Sequence, residues 1–323
     1  MPDWRGEGVG VGELYLMMAQ RQLDGVSPSY AAICRGVAAD PDFASLLGEL
    51  PPPKRQPNLL LGAVRFLDGP VASWPAFRAF ALRRWEDVRA TMLTRRTQTN
   101  EPGRCATLLP LLVEPRQPIA LFEVGASMGL CLYPDRYAYR YSSGAVLGDG
   151  PVVLDCAVSG PVPVPTRRPE VAWRGGLDLD PLDVRSDEDV RWLEALVWPE
   201  QVERFERLRA AVAIARTDPP AIVTGDLTTD LAAATASVPA DLPLVIVHSA
   251  VLAYVDATGR AAFVASVRAL AETRPVRWIS NEAPGVVPGT TREDAGPARF
   301  VLARDGRPVG LTGPHGQSVE WLS

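Results

Sequence analysis

Residues 119–130 read Ile-Ala-Leu-Phe-Glu-Val-Gly-Ala-Ser-Met-Gly-Leu, an apolar run that ends at Glu123 and passes into a loop with two glycines. Such a run, bounded by glycine, is typical of a buried strand. The loop has two interpretations. Gly125 and Gly129 would let the backbone turn closely around a nucleotide-like cofactor, with the N-terminus of a helix following. The same residues fit G-x-S-x-G, the nucleophile motif of serine hydrolases, with Ser127 as the nucleophile.

The whole chain has an ordinary globular composition, with 323 residues of which 47% are hydrophobic and 22% are charged. Its net charge of −5 at pH 7 offers no basic surface to phosphates, so we expect no nucleic-acid partner. The first residues lack the apolar core of a signal peptide, and no apolar stretch approaches the roughly 20 residues that span a bilayer. We therefore expect a cytoplasmic protein outside the membrane, whose oligomeric state the sequence does not determine.

Cysteine and histidine usage predicts neither disulfides nor a metal site. The four cysteines are scattered without a C-x-x-C pair, which favours free, buried thiols in a reducing compartment. His248 and His315 are the only histidines, and no cysteine lies close to either in the sequence, so we predict no zinc site. An acidic run over 178–189 is better explained by a turn and a negatively charged helix start than by metal ligands.

Helical patterns fill the N-terminal third of the chain. Pro28 follows Ser27 at a predicted helix start, and apolar residues between 77 and 92 recur at three- and four-residue spacing. No alternating strand pattern occurs before residue 118. We therefore predict a helical N-terminal cap over residues 1–115 and a second domain over residues 116–323.

After residue 118, short β-rich runs alternate with segments that include helices, the clearest at 187–215. Such alternation predicts a parallel sheet covered on both faces. The predicted strands cover 119–124, 152–158, 171–177, 221–224, 243–248 and 276–280. The tail predicts an antiparallel hairpin with a tight turn at Asp305-Gly306, and then a last strand over 317–322. The predicted fold is α/β, with a Rossmann-like sheet, a helical cap and an antiparallel C-terminal edge.

Five segments resemble an uncharacterised bacterial family known as domain of unknown function 2332 (DUF2332). They are Pro52-Pro-Lys-Arg-Gln-Pro-Asn-Leu-Leu-Leu61, Arg96-Thr-Gln-Thr-Asn-Glu101, Glu123-Val-Gly-Ala-Ser127, Gly176-Leu-Asp-Leu-Asp-Pro-Leu-Asp183 and His248-Ser-Ala-Val-Leu-Ala-Tyr254. The resemblance covers nearly the whole chain. It aligns the motifs without assigning them a chemistry, because the family has no established activity.

A second, looser resemblance is to class I S-adenosylmethionine-dependent methyltransferases. It implies that Glu123 lies near the amino group of S-adenosylmethionine, Asp178 near its ribose hydroxyls and Asp226 near its adenine amine. The cofactor-binding residues that it implies are Glu123, Gly125, Ser127, Gly129, Asp178 and Asp226. It also implies that the C-terminal hairpin corresponds to the antiparallel sixth and seventh strands of that fold. The function that follows is methyl transfer to a small molecule.

The chain departs from the methyltransferase pattern between its first two cofactor markers. About fifty residues separate Glu123 from Asp178, where roughly half that number would suffice for a helix and a strand. The insertion over 131–170 would add strands or a lid. Asp135 and Asp155 therefore compete with Asp178 for the ribose role.

Substrate and catalytic candidates lie at loops and strand ends. The polar segment over 94–104 is either a loop that binds substrate through Arg96, Asn100 and Arg104 or an exposed connector. His248 is a candidate general base at a strand end, with Tyr254 beside it. The alternative for His248 is a ring that is hydrogen-bonded inside the protein.

Two other functions stay open. A serine hydrolase would use Ser127 with Asp226 or Asp241 and with His315, but the nucleophile motif of those enzymes normally follows several strands, and no HGGG-type segment precedes Ser127. A non-catalytic module would bind a nucleoside-like ligand on the same fold without any chemistry.

Overall fold

The structure is a computed structural model that describes residues 9–98, 100–114, 116–296 and 299–322. The chain forms two compact units. The helical unit comprises Met1–Thr99 with Ser186–Glu206, and the sheet unit comprises Asn100–Arg185 with Arg207–Ser323. These boundaries differ from the predicted division at residue 115, because a helix just after residue 100 belongs to the sheet unit and a later segment belongs to the helical unit.

The described part of the chain contains eleven α-helices. They are α1 (Val11–Met18), α2 (Pro28–Ala39), α3 (Pro41–Gly48), α4 (Pro57–Phe66), α5 (Trp74–Arg83), α6 (Trp85–Thr94), α7 (Arg104–Leu112), α8 (Asp187–Leu196), α9 (Val202–Thr217), α10 (Leu231–Ala234) and α11 (Ala257–Thr273). Of these helices, none combines the length and the apolar character that a membrane span needs. The apolar stripe over 77–92 is shared by α5 and α6, because the backbone leaves helical geometry at Arg84.

Within the helical unit, proline starts several helices and aromatic rings fill the core. Prolines 28, 41 and 57 occupy the first position of their helices, where the missing N–H has no helical partner in any case. Phe43 packs edge-on against Trp74 with ring centroids 5.3 Å apart. Phe66 packs in the same way against Trp192 at 5.7 Å. Trp192, which is 1% exposed, is therefore a core residue.

The strands of the described residues form one eleven-stranded sheet in the sheet unit. They are β1 (Ile119–Val124), β2 (Ala138–Tyr141), β3 (Val146–Leu147), β4 (Val153–Ser159), β5 (Val171–Asp178), β6 (Ala221–Thr224), β7 (Leu244–Ser249), β8 (Val276–Glu282), β9 (Phe300–Arg304), β10 (Arg307–Thr312) and β11 (Ser318–Trp321). Their order is β3-β2-β4-β11-β10-β9-β8-β7-β1-β5-β6. The run from β8 to β6 is parallel throughout. The α/β class predicted from the alternating pattern is confirmed.

The insertion over 131–170 adds strands to the sheet. β2 and β4 run parallel to each other, β3 pairs antiparallel with β2, and β4 joins the sheet by pairing with β11. The C-terminal strands β9, β10 and β11 form an antiparallel meander beside β8. Asp305 and Gly306 both have positive φ, 52° and 76°, as expected of a tight hairpin turn whose twist matches the strands.

Candidate functional site

The candidate site lies where the strand order of the sheet reverses. After β1 the chain first forms β2, β3 and β4 at the far edge of the sheet. It then adds β5 and β6 on one side of β1 and returns to form β7 on the other side. In open parallel sheets, ligands bind outside the carboxyl ends of the strands at such a reversal. Glu123 is the penultimate residue of β1 and lies opposite Val247 in the register with β7. The predicted strand end therefore falls at the position where the fold favours a ligand.

The loop after β1 turns through three positive φ angles. Gly125, Ser127 and Gly129 have φ values of 71°, 52° and 74°. A Cβ on Gly125 would lie 2.3 Å from the Cγ2 atom of Val251, so this position requires glycine for both its conformation and its packing. The helix expected after the loop is absent: the chain makes a single 3-10 turn at Leu130–Leu132 and then leads into β2. That expectation was wrong, because the insertion occupies the crossover that a helix would have made.

Two polar side chains hold this loop in place. Asn100 donates from Nδ2 to the carbonyl of Ala126 at 2.9 Å, and its Oδ1 accepts from the Leu130 N–H at 2.8 Å. Asp178 accepts from the Ser127 N–H at 2.7 Å through Oδ2. Its Oδ1 accepts from the Asp180 N–H at 2.8 Å. Asn100 and Asp178 therefore both bind backbone groups and stabilise the loop. Their contacts with a ligand stay predictions.

Glu123 and Glu282 are buried carboxyls at this edge of the sheet, and Oε2 of each lacks a hydrogen-bond partner among the described residues. Glu123 is 6% exposed. Burial raises the pKa of Glu123 well above its usual value of 4.5, and the nearby positive charge of Arg104 opposes the rise in part. A buried acceptor without a donor is costly, and native proteins rarely keep one without a reason.

Arg104 is a buried cation whose positive charge acts on the carboxyl of Glu123. It is the first residue of α7 and is 5% exposed. Its Nε atom donates to the Pro314 carbonyl at 3.0 Å and its Nη1 atom donates to the Ser249 carbonyl at 3.0 Å. These bonds tie the end of β7 to the turn that follows β10. The structure thus places Arg104 at the end of β7, with no acceptor for Nη2 among the described residues, and its contact with substrate stays a prediction.

His248 lies inside the core. Its Nε2 accepts from the indole N–H of Trp278 at 2.9 Å, and its Nδ1 lies 2.7 Å from Oε1 of Glu282. Because an indole can only donate, Nε2 must be the acceptor and Nδ1 must carry the proton. The ring is 1% exposed. This is the internally bonded histidine that the alternative interpretation predicted, and both of its nitrogens are occupied.

Glu282 also shapes the segment that leads to Tyr254. Besides His248, its Oε1 accepts from the N–H groups of Val251 at 2.9 Å and Leu252 at 3.2 Å. This anchors the turn after β7, in which Ala250 adopts a φ of 60°. Tyr254 follows this turn and is 67% exposed. The tyrosine is therefore displayed at the carboxyl edge of the sheet, where a ligand could reach it.

The remaining predicted residues have varied environments. Asp226 is exposed, and hydrogen bonds from the backbone and hydroxyl of Thr228 lower the pKa of its carboxyl. Arg96 belongs to the helical unit, where its carbonyl accepts from the Trp192 indole at 3.0 Å. Substrate binding by the Arg96 guanidinium stays a prediction. Among the described residues, no group of three or more His, Cys, Asp or Glu side chains is arranged to hold a metal.

The structure weakens the hydrolase interpretation. Ser127 is 3% exposed, and its backbone N–H donates to Asp178 at 2.7 Å. Asp241 precedes β7 and therefore lies at the amino end of the strands, at the opposite edge of the sheet from Ser127. Asp226 already holds the Thr228 backbone and hydroxyl. His315 is exposed in the turn between β10 and β11.

Sequence reasoning missed several residues of this edge. Ser249, Asn281, Glu282 and Thr312 each lie at or next to the carboxyl end of a strand, as Glu123 does. The sequence signal that could have indicated them is a polar residue at the end of an apolar run. The rule that selected Glu123 would have selected Asn281 and Glu282 as well.

The comparison with protein families gives a match over nearly the whole chain. The family described as an uncharacterized protein conserved in bacteria (DUF2332) matches residues 13–321. The comparison with curated proteins gives no match. The matched span includes every segment in which the sequence motifs resembled this family. The chain therefore belongs to the DUF2332 family of uncharacterised bacterial proteins.

Proposed function

We propose that the sheet unit binds S-adenosylmethionine at the carboxyl ends of β1 and β7 and transfers its methyl group to a small molecule. The observation that carries this proposal is Glu123, a buried carboxyl with an Oε2 atom that lacks a donor, placed where the strand order reverses. An ammonium group would supply both the missing hydrogen bond and the positive charge that ionises the acid.

Exposed apolar side chains at the same edge support a nucleoside-like ligand. Leu179 directly follows β5 and is 56% exposed, and Tyr254 follows β7 and is 67% exposed. Large apolar groups left open beside polar ones are suited to a flat ring that needs both stacking and hydrogen bonds. The exposed carboxylate of Asp226, two residues beyond β6, offers an acceptor to a ring amine.

In the proposed reaction, the main task of the protein is to align the methyl acceptor with the methyl group of the cofactor. The bound cofactor would supply an electrophilic methyl group on its sulfonium. The residues of this chain hold the ligand, orient it and keep water from the reacting atoms. His248 has no ring nitrogen left for a substrate, since Trp278 and Glu282 occupy both. The proposed acceptor is therefore one whose attacking atom carries no proton, such as a carboxylate oxygen.

Thermal unfolding with S-adenosylhomocysteine tests the binding step. A ligand that binds only the native state raises the unfolding temperature. We expect this rise in the natural protein and in Glu272→Gln, a matched control in an exposed part of α11. We expect no rise in Glu123→Gln, whose neutral amide cannot balance an ammonium. Absence of any shift in the natural protein at millimolar ligand would refute the proposal.

A non-catalytic binding module is the second candidate. His248, the histidine near the reversal of strand order, is hydrogen-bonded inside the core through both ring nitrogens and cannot act as a base. The two candidates differ in turnover. Formation of S-adenosylhomocysteine from S-adenosylmethionine with a panel of small carboxylic acids supports the transferase. Binding without turnover across that panel supports the module. Labelling by a fluorophosphonate probe that Ser127→Ala abolishes would support the hydrolase instead.

A further inference from the structure

Three polar side chains at the ends of β10, β8 and β7 form an ordered chain of hydrogen bonds. The hydroxyl of Thr312 donates to Oδ1 of Asn281 at 2.6 Å. The Nδ2 atom of Asn281 donates to Oγ of Ser249 at 3.2 Å. Thr312 and Asn281 are both fully buried. The three strands end at the same edge, because β10 runs parallel to β8 and β7.

This chain of bonds fixes the direction of the last hydroxyl. Ser249 accepts a hydrogen bond from Asn281, so its own O–H must point to another acceptor. No such acceptor occurs among the described residues, and Ser249 is partly exposed. Its carbonyl meanwhile accepts from Nη1 of Arg104 at 3.0 Å. Ser249 thus sits between two buried groups that hold it from either side.

Ser249 shares a face of the sheet with Glu123. Glu123 lies opposite Val247 in the register of β1 and β7, and residues two apart on a strand point to the same face. Arg104 donates to the carbonyl of Ser249 at 3.0 Å, and its positive charge opposes the rise in the pKa of Glu123. Around this strand end the structure therefore places two unused donors, the Ser249 hydroxyl and Arg104 Nη2, and Glu123 Oε2 on the adjoining strand is an unused acceptor.

We propose that Ser249 and Arg104 bind the carboxylate of a ligand while Glu123 binds its neighbouring ammonium, so that the site selects an α-amino-acid head group. A carboxylate is the acceptor that suits one cationic and one neutral donor together, and a guanidinium is the strongest partner for it. Asn281 and Thr312 are positioning residues that aim the Ser249 hydroxyl. This inference rests on the proposed function, because S-adenosylmethionine carries such a head group.

Calorimetric titration with two ligands tests the inference on the full chain. S-adenosylmethionine has both the ammonium and the carboxylate, and its decarboxylated form has only the ammonium. We expect the natural protein to bind the decarboxylated form roughly tenfold more weakly or worse, the usual effect of losing a hydrogen bond to a charged group. Ser249→Ala should weaken binding of S-adenosylmethionine by a similar factor and leave binding of the decarboxylated form unchanged.

The outcomes separate the two proposals. Equal affinity of the natural protein for both ligands would overturn the inference and leave the proposed function standing. Equal weakening of both ligands by Ser249→Ala would overturn it too. Failure of both ligands to bind would refute the proposed function, and the inference with it.

The positioning role has its own test. In Asn281→Asp the carboxylate accepts from both hydroxyls, so the Ser249 O–H turns away from the ligand and the preference for S-adenosylmethionine over its decarboxylated form should fall roughly tenfold. Thr312→Val should reduce the same preference, and Thr312→Ser should retain it. A purely structural role would weaken both ligands alike and leave their ratio unchanged, which would exclude the positioning role.

Discussion

At the scale of a single residue, the burial of the Glu123 carboxyl lowers the stability of the folded protein, although the same carboxyl is proposed to bind the ligand. Burial raises the pKa of its carboxyl in the folded protein, so the folded state keeps the proton to a higher pH than the unfolded chain does. The contribution of Glu123 to the free energy of unfolding is therefore lost as the pH rises from 4.5, the ordinary pKa of a glutamate, towards the raised pKa of the folded state. Without its ligand, the protein should be destabilised by its own site at neutral pH.

Replacing Glu123 by Gln should remove this pH dependence. We expect Glu123→Gln to be more stable than the natural protein by about 1–3 kcal/mol at about pH 8, with a smaller difference at about pH 5. Urea unfolding at both pH values measures the two differences. Glu272→Gln, at an exposed position of α11, should show no such trend. A Glu123→Gln difference that is constant with pH would show that the carboxyl ionises normally in the folded state.

At the residue scale, the sequence could indicate only features that lie within a few consecutive residues. The position of Glu123 at the end of a strand is such a feature, because a carboxyl that closes an apolar run is visible locally. The pairing of Ser249 with Asn281 and Thr312 could not, because it joins three strands that are distant in sequence. His248 showed the same limit, since its partners Trp278 and Glu282 lie about thirty residues further on.

At the scale of the element, the loop after β1 depends on the packing of Gly125. We expect Gly125→Ala to destabilise the protein more than Gly289→Ala does. Both glycines have positive φ, 71° and 84°, but a Cβ would meet Val251 only at Gly125 and finds open space at Gly289. The excess should be about 1–3 kcal/mol, the usual cost of overpacking. Equal losses in urea unfolding would show that Val251 moves aside at no cost.

The turn after β7 depends in the same way on Glu282. We expect Glu282→Gln to speed amide hydrogen exchange at Val251 and Leu252, because a neutral oxygen accepts their N–H groups less strongly than a carboxylate does. Exchange in β5 serves as the internal control and should not change. Unaltered exchange at Val251 and Leu252 would show that the turn is held by its packing alone.

At the scale of the whole molecule, the four thiols should report on opening of the fold. Cys34, Cys105, Cys131 and Cys156 are all buried. Burial raises the pKa of Cys34 and of Cys156 to about 12, so neither forms a reactive thiolate near neutral pH. We expect an aromatic disulfide reagent to label none of the four in the native protein and all four after unfolding. Rapid labelling of the native protein would contradict the buried placement.

The thiols also distinguish the two units. Cys34 belongs to the helical unit, and the other three belong to the sheet unit. Mass spectrometry of protein labelled at intermediate denaturant would therefore show which unit opens first. A population with one label identifies opening of the helical unit, and a population with three labels identifies opening of the sheet unit.

The sequence by itself determined the family, the α/β class, most strand positions and the place of Glu123 at a strand end, because hydrophobic period, turn residues and strand ends are local properties of the chain. Only the tertiary structure decided the rest. It placed the insertion as strands β2 to β4, removed the helix expected after Gly129, moved the boundary between the units and committed His248 to Trp278 and Glu282. Each of these depends on strand order and register, which are set by contacts between distant segments that no local pattern records.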